Sequence, residues 1–224
     1  MSAIPNRPDR DIPTQIKDPA LLQRRRRQLV DAAVELFIQN GFHKTTTRQI
    51  AKAAGFSIGA LYEYIKTKED ILYLVCDAIH AEMERGMLDA LERARKDRTP
   101  LEEVIRGYFQ VCHRMSDHIL LIYQETQSLP HKWRRIVLEN EVRITGLFTR
   151  ALSQLMDEGM MPSLSPASLD LIAHDIAVLG HMWTFRRWFL ACHYTIDDYI
   201  KHQTALILGM CQAESVSTVV GGCL

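Results

Sequence analysis

Residues Gly55–Leu72 read GFSIGALYEYIKTKEDIL. Ser57 stands just ahead of an apolar run, where its hydroxyl can accept a first-turn N–H. The spacing predicts a short helix over about Ile58–Ile65. Leu61 and Ile65 are i, i+4 and share its inner face. Ile58, Gly59 and Tyr62 then fall on the outward side, with Tyr64 flanking it. A helix built only for a core does not spend Ile58 and Tyr62 on water. Thr67 precedes Glu69 and Asp70, acids placed where the next helix favours negative charge. Tyrosine hydroxyls and the ammonium groups of Lys66 and Lys68 thus crowd one short element. Such donors suit phosphate oxygens, while the start of the helix suits base edges.

The chain before it has the same helical grammar. A first helix is expected over about Leu22–Gln39, with Leu29, Ala32, Ala33, Leu36 and Phe37 as its stripe and Asn40-Gly41 as its stop. A second covers about Thr47–Ala54, where Thr46 and Gln49 match a capping box. The tight Ala54-Gly55-Phe56-Ser57 turn joins it to the third, a helix-turn-helix arrangement. From Arg24 to Lys68 there are nine Lys/Arg against three Asp/Glu. The whole chain is neutral, with 27 residues of each sign. A basic segment on an acidic remainder points to a polyanion partner at one end.

This stretch resembles the DNA-binding domain of the TetR/AcrR-type family of bacterial repressors. The resemblance covers about Gln28–Leu74 and rests on VDAAVELFIQNGFHKTTTRQIAKAAGFSIGALYEYIKTKEDIL. It implies that Thr46, Thr47, Tyr62 and Lys68 hold phosphates and that Tyr64 meets backbone or a base. It places Arg48, Ile58 and Gly59 nearest the base edges, beside the N-cap Ser57. Residue chemistry agrees for Arg48, whose fork can meet guanine with about 1–3 kcal/mol of discrimination. Arg24–Arg27 either extend the phosphate contact, reach a minor groove as an arm, or form a solvated helix start.

The expected fold is all-α: an N-terminal three-helix helix-turn-helix domain and a larger helical ligand-binding and dimerisation domain, about nine helices in total. The expected divisions are a disordered arm over 1–21, the helix-turn-helix over 22–70, the body over 71–212 and a flexible tail over 213–224. Thr99 is read as the cap of the helix that starts at Pro100. One long helix is expected over Pro166–Ala191. Its Ala173, Ala177 and Gly180 form a small-residue seam. With Ala205 and Gly209 of the last helix, that seam is the expected dimer interface, following the family architecture. Apolar, aromatic and polar side chains at Met115, Tyr123, Trp133, His181, Trp183 and Arg187 are the expected effector contacts.

Five cysteines without a paired pattern suit a reducing cytoplasm. No run approaches the roughly 18 apolar residues of a membrane span. Adjacent pairs such as Cys112-His113 point apart on a helix and lack metal-ligand spacing. No catalytic motif stands out, so neither enzyme chemistry, metal nor cofactor is expected. The reading is a cytoplasmic, ligand-responsive DNA-binding regulator, a homodimeric repressor on a palindromic operator. A small, mostly apolar effector, an acyl or aryl acid or its coenzyme A thioester, would release it. The alternative is a DNA-binding protein that acts through protein partners without a small ligand.

Overall fold

The computed structural model describes residues 12–14, 16–94 and 100–220, with side chains as far as residue 212. Among the described residues there are helices and turns and no strands. Of the expected arm over 1–21, residues 1–11 and 15 lie outside the described residues, as do the Thr99 cap and residues 221–224 of the expected tail over 213–224. No described helix is long and apolar enough to cross a membrane.

Two compact units divide the chain. The first takes in the chain through Ile79 together with Leu121–Leu138. It opens with α1 (Pro19–Asn40), α2 (Thr47–Ala53) and α3 (Ile58–Tyr64). Asp18 caps α1 by accepting the N–H groups of Ala20 and Leu21, and Pro19 occupies the first turn. The helix therefore starts three residues ahead of the expected Leu22, on a stronger cap. Leu29, Val30, Ala33 and Phe37 are its buried face. α2 has the full capping box between Thr46 and Gln49. Its end is closed by Gly55 at φ 74°, a conformation that costs glycine nothing. There the Phe56 N–H reaches the Ala51 carbonyl at 2.8 Å and Gly55 N–H that of Lys52 at 3.2 Å. This closure crosses α2 and α3 tightly. α4 (Lys68–Ala94) follows, opened by reciprocal bonds between Thr67 and Asp70.

The second unit takes in His80–Leu120 and the chain from Glu139 onward. It holds α5 (Pro100–Arg114) and the beginning of α6 (Ser116–Glu125). A 3-10 turn at Thr126–Ser128 and the start of α7 (His131–Asp157) belong to the first unit; the rest of α7 belongs to the second. α8 (Pro166–Phe185), α9 (Arg187–His193) and α10 (Ile196–Val220) complete it. α5, α8 and α10 pack on one another. Tyr108, Phe109, Phe148, Trp183 and Tyr199 meet edge-on or tilted in the core between them, with Tyr108 and Phe148 centroids 4.7 Å apart. Large rings supply much buried area to such a core.

Two expectations change here. The single helix over Pro166–Ala191 is two, broken at Arg186 (φ −111°, ψ 14°). The expected dimer seam on α8 is buried within its own chain. Ala173, Ala177 and Gly180 all face inward. A Cβ at Gly180 would meet Tyr108 Cε1 at 2.6 Å and Cys112 Sγ at 3.0 Å. The small residues of α8 therefore serve the close approach of α5.

Candidate functional site

The first unit presents one polar, irregular face. Arg48, Ser57, Ile58, Gly59 and Tyr62 are exposed, with Thr47 half-buried beside them. Tyr62 is 50% exposed, and its hydroxyl shares a 3.3 Å hydrogen bond with that of Thr47. That contact brings the start of α2 against the outer face of α3. Ser57 accepts the Ala60 N–H at 3.1 Å and so fixes the start of α3. Thr46 is exposed but its hydroxyl is engaged with Gln49, as the capping box requires. Arg48 has an exposed guanidinium fork free to meet an edge.

Two expected contacts lie elsewhere. Tyr64 is 6% exposed, and its ring meets Phe56 edge-on at 5.7 Å. It stands at i+3 from Leu61 and so shares the inner face of α3. The ammonium of Lys68 donates to the carbonyls of Phe42, His43 and Thr45 at 3.0, 3.4 and 3.1 Å. It also lies 4.2 Å from the Phe42 ring centre. Its three donors close the α1–α2 loop rather than stand ready for a phosphate.

Sequence reasoning missed two supports of this face. Arg26, one of the four consecutive arginines, is buried. It donates to the carbonyls of Ile12 and Tyr64, so it is neither a solvated residue nor a phosphate contact. Asp70 is buried as well. One carboxylate oxygen accepts the N–H groups of Lys66 and Thr67 at 2.9 and 3.0 Å. The other accepts Trp133 Nε1–H at 3.1 Å. Trp133 stacks on Tyr73 with centroids 4.1 Å apart. The acid expected to favour α4 electrostatically thus also ties α4 to α7. The one local signal was Asp70 at the third position after Thr67.

The expected effector residues do not form one group. Tyr123 and Trp133 belong to the first unit; Met115, His181, Trp183 and Arg187 belong to the second. Trp133 is committed to Asp70, and Arg187 is an exposed residue paired with Asp117 at 2.6 Å. Met115, His181 and Trp183 are buried. Trp183 donates its indole N–H to His113 Nδ1 at 2.9 Å. His181 Nε2 lies 2.9 Å from the Tyr108 hydroxyl. His80 is also buried, 3.7 Å from a Glu141 oxygen. Burial pushes His181 down to about 4, with Glu141 partly opposing and His80 reinforcing that shift. Burial works to raise Glu141, yet the neighbouring His80, with His181 behind it, draws its carboxyl below the ordinary value. The centre of the second unit is therefore polar and preferentially neutral at His181.

The family profile described as "Bacterial regulatory proteins, tetR family" matches residues 29–73, the span of this face. The "HTH-type transcriptional repressor KstR2" of Rhodococcus jostii (strain RHA1) is 37% identical over 193 residues, covering 82% of this chain and 89% of that one. The chain belongs to the TetR family. It is a DNA-binding transcription regulator and not an enzyme. The "Fatty acid metabolism regulator protein" of Bacillus subtilis (strain 168) is 33% identical over 151 residues, 64% of this chain and 72% of its own. The TetR-type fold recurs in the structure of AibR, described as a complex with isovaleryl coenzyme A and operator DNA. Its TM-score is 0.61 at 18% identity, over 81% of this chain and 97% of that one.

Proposed function

We propose that this TetR-family chain is a repressor that holds a palindromic operator as a homodimer and lets go when a small, mostly apolar effector binds. The observation that carries the reading is the joined face of α2 and α3. Arg48, Ile58 and Gly59 stand exposed there for base edges, and Thr46, Thr47 and Tyr62 stand beside them for phosphates. Arg48 is the direct reader, Ile58 offers an apolar contact to a thymine methyl, and Gly59 admits close approach.

The pairing surface in this proposal is the outer face of α8 and α10. Leu171, Val178 and Met182 repeat at i, i+7, i+11 and are exposed. Leu206 is exposed on α10, flanked by Ala205 and by Gly209, where a Cβ would meet nothing. A two-fold arrangement of these helices would buy a four-helix interface and set two α3 helices on successive half-sites. The effector class is an acyl or aryl acid or its coenzyme A thioester. The name of the Bacillus relative and the isovaleryl coenzyme A of AibR support that class. Met115, Tyr108, His181 and Trp183 are its proposed neighbours in the second unit. Release follows if the effector binds better to a form whose half-site spacing no longer fits.

Selection of bound DNA from a random duplex pool at fixed salt tests this. The expected result is an enriched palindrome, competed away by an acyl coenzyme A such as isovaleryl coenzyme A. Salt-sensitive binding with no enriched sequence would defeat the reading. An enriched palindrome indifferent to every acyl and aryl acid or thioester would defeat the effector class alone.

A further inference from the structure

Residues 12–14, ahead of α1, stay against the first unit. Ile12 is 1% exposed. Its carbonyl accepts Arg26 Nη2–H at 2.9 Å. The same Nη2 reaches the Tyr64 carbonyl at 3.1 Å, and Arg26 Nε reaches it at 3.2 Å. Two residues on, the Thr14 hydroxyl donates to the Glu63 carbonyl at 2.8 Å and accepts the Ile16 N–H at 3.2 Å. Glu63 and Tyr64 are the last two residues of α3. Their carbonyls belong to the set that a helix leaves unpaired at its C-terminal end. A cation there also complements the negative end of the helix dipole.

α3 has seven residues, two turns. A helix that short has little stability of its own, so outside contacts set its pose. Ser57 fixes one end. Thr14 and Arg26 hold the other.

We propose that Ile12, Thr14 and Ile16 form a strap, and that Thr14 and Arg26 are positioning residues which aim α3 at DNA. They act through α3 and touch no base themselves. The proposal rests on the reading of α3 as the base-contacting helix. It separates two kinds of binding. Non-specific affinity follows phosphate neutralisation and tolerates a loosely held α3. Sequence discrimination needs Arg48, Ile58 and Gly59 held in register with base edges.

Thr14→Val is the decisive variant, because it removes the hydroxyl that donates to Glu63 and accepts from Ile16 without changing charge. Thr14→Ser returns the hydroxyl. Each is measured beside the wild type against the most enriched duplex from the pool and against a scrambled duplex of equal length, at several salt concentrations. Thr14→Val should lower affinity for the enriched duplex roughly three- to tenfold, the size of one net hydrogen bond. Affinity for the scrambled duplex and the salt slope should be unchanged, and Thr14→Ser should recover the loss. Amide exchange at α3, followed without DNA, should quicken in Thr14→Val and in Arg26→Gln. Equal losses on both duplexes would overturn the proposal, since the strap would then act through general stability or charge. Unchanged discrimination with unchanged exchange would overturn it as well. A wild type that enriches no sequence would sink the reading of α3 instead, and the exchange arm would still decide whether the strap holds that helix.

Discussion

Asp70 and Trp133 offer the sharpest test of how the first unit is held together. Both side chains are buried, and the Nε1–Oδ1 distance is 3.1 Å. A hydrogen bond to a charged group contributes about 1.5–3 kcal/mol. Trp133→Phe removes that donor and part of the stack on Tyr73, and should cost about 2–4 kcal/mol. Asp70→Ala also strips the acceptor from the Lys66 and Thr67 amides. Its cost should therefore be larger, about 3–5 kcal/mol. The double variant should not cost the sum. A coupling of about 1.5–3 kcal/mol is expected, because neither half of the bond is useful alone. Urea unfolding of all four proteins, followed by circular dichroism, gives the cycle. Costs that add to within about 0.5 kcal/mol would refute the bond as an energetic tie between α4 and α7.

Three further outcomes follow from particular side chains. Gly180→Ala should destabilise the chain by about 1–3 kcal/mol in thermal or urea unfolding, because its Cβ overpacks Tyr108, and should leave self-association alone. Gly209→Leu should do the reverse, keeping the fold while weakening self-association about tenfold or more by sedimentation; equal effects from the two would undo the distinction between inner seam and outer face. Arg48→Ala should flatten the ranking of operator variants by about 1–3 kcal/mol at one base pair, while Tyr62→Phe weakens all duplexes alike; an unchanged ranking would remove Arg48 from the base contacts.

Acid should act through the core of the second unit. His181 protonates near 6.5 when unfolded and near 4 when folded. Between those values the unfolded chain binds more protons, so stability is full above about pH 6.5 and falls as pH drops toward 4. A shift of that size corresponds to roughly 3 kcal/mol. Glu141, also below its ordinary value, adds to the loss once pH passes below about 4.5. Urea midpoints at pH 7.5 and 4.5 should differ less in His181→Gln than in the wild type. An equal difference would mean that another group carries the acid response.

What the sequence disclosed was local. Caps at Thr46, Ser57 and Thr67 and the glycine turn at Gly55 each act within a few residues, and all appear where spacing placed them. The family resemblance rested on the same stretch. What stayed hidden depends on partners far along the chain. Arg26 looks like one cation among four, and its partners stand 14 and 38 residues away. Asp70 meets Trp133 across 63 residues. The seam of α8 was visible as a pattern, but a pattern of small residues does not say which helix comes close. Tyr64 was misassigned for a simpler reason. Its distance from Leu61 already placed it inward, yet its hydroxyl suggested a surface role.

The indole bonds have an optical consequence. Trp133 reports from the first unit and Trp183 from the second, each with its N–H tied to a titratable partner, Asp70 or His113. The third tryptophan, Trp188, is 70% exposed. Replacing it with phenylalanine leaves one buried tryptophan in each unit. Emission from such a protein, with Trp133 or Trp183 silenced in turn, would tell which unit responds first when DNA or effector is added, with no dye attached.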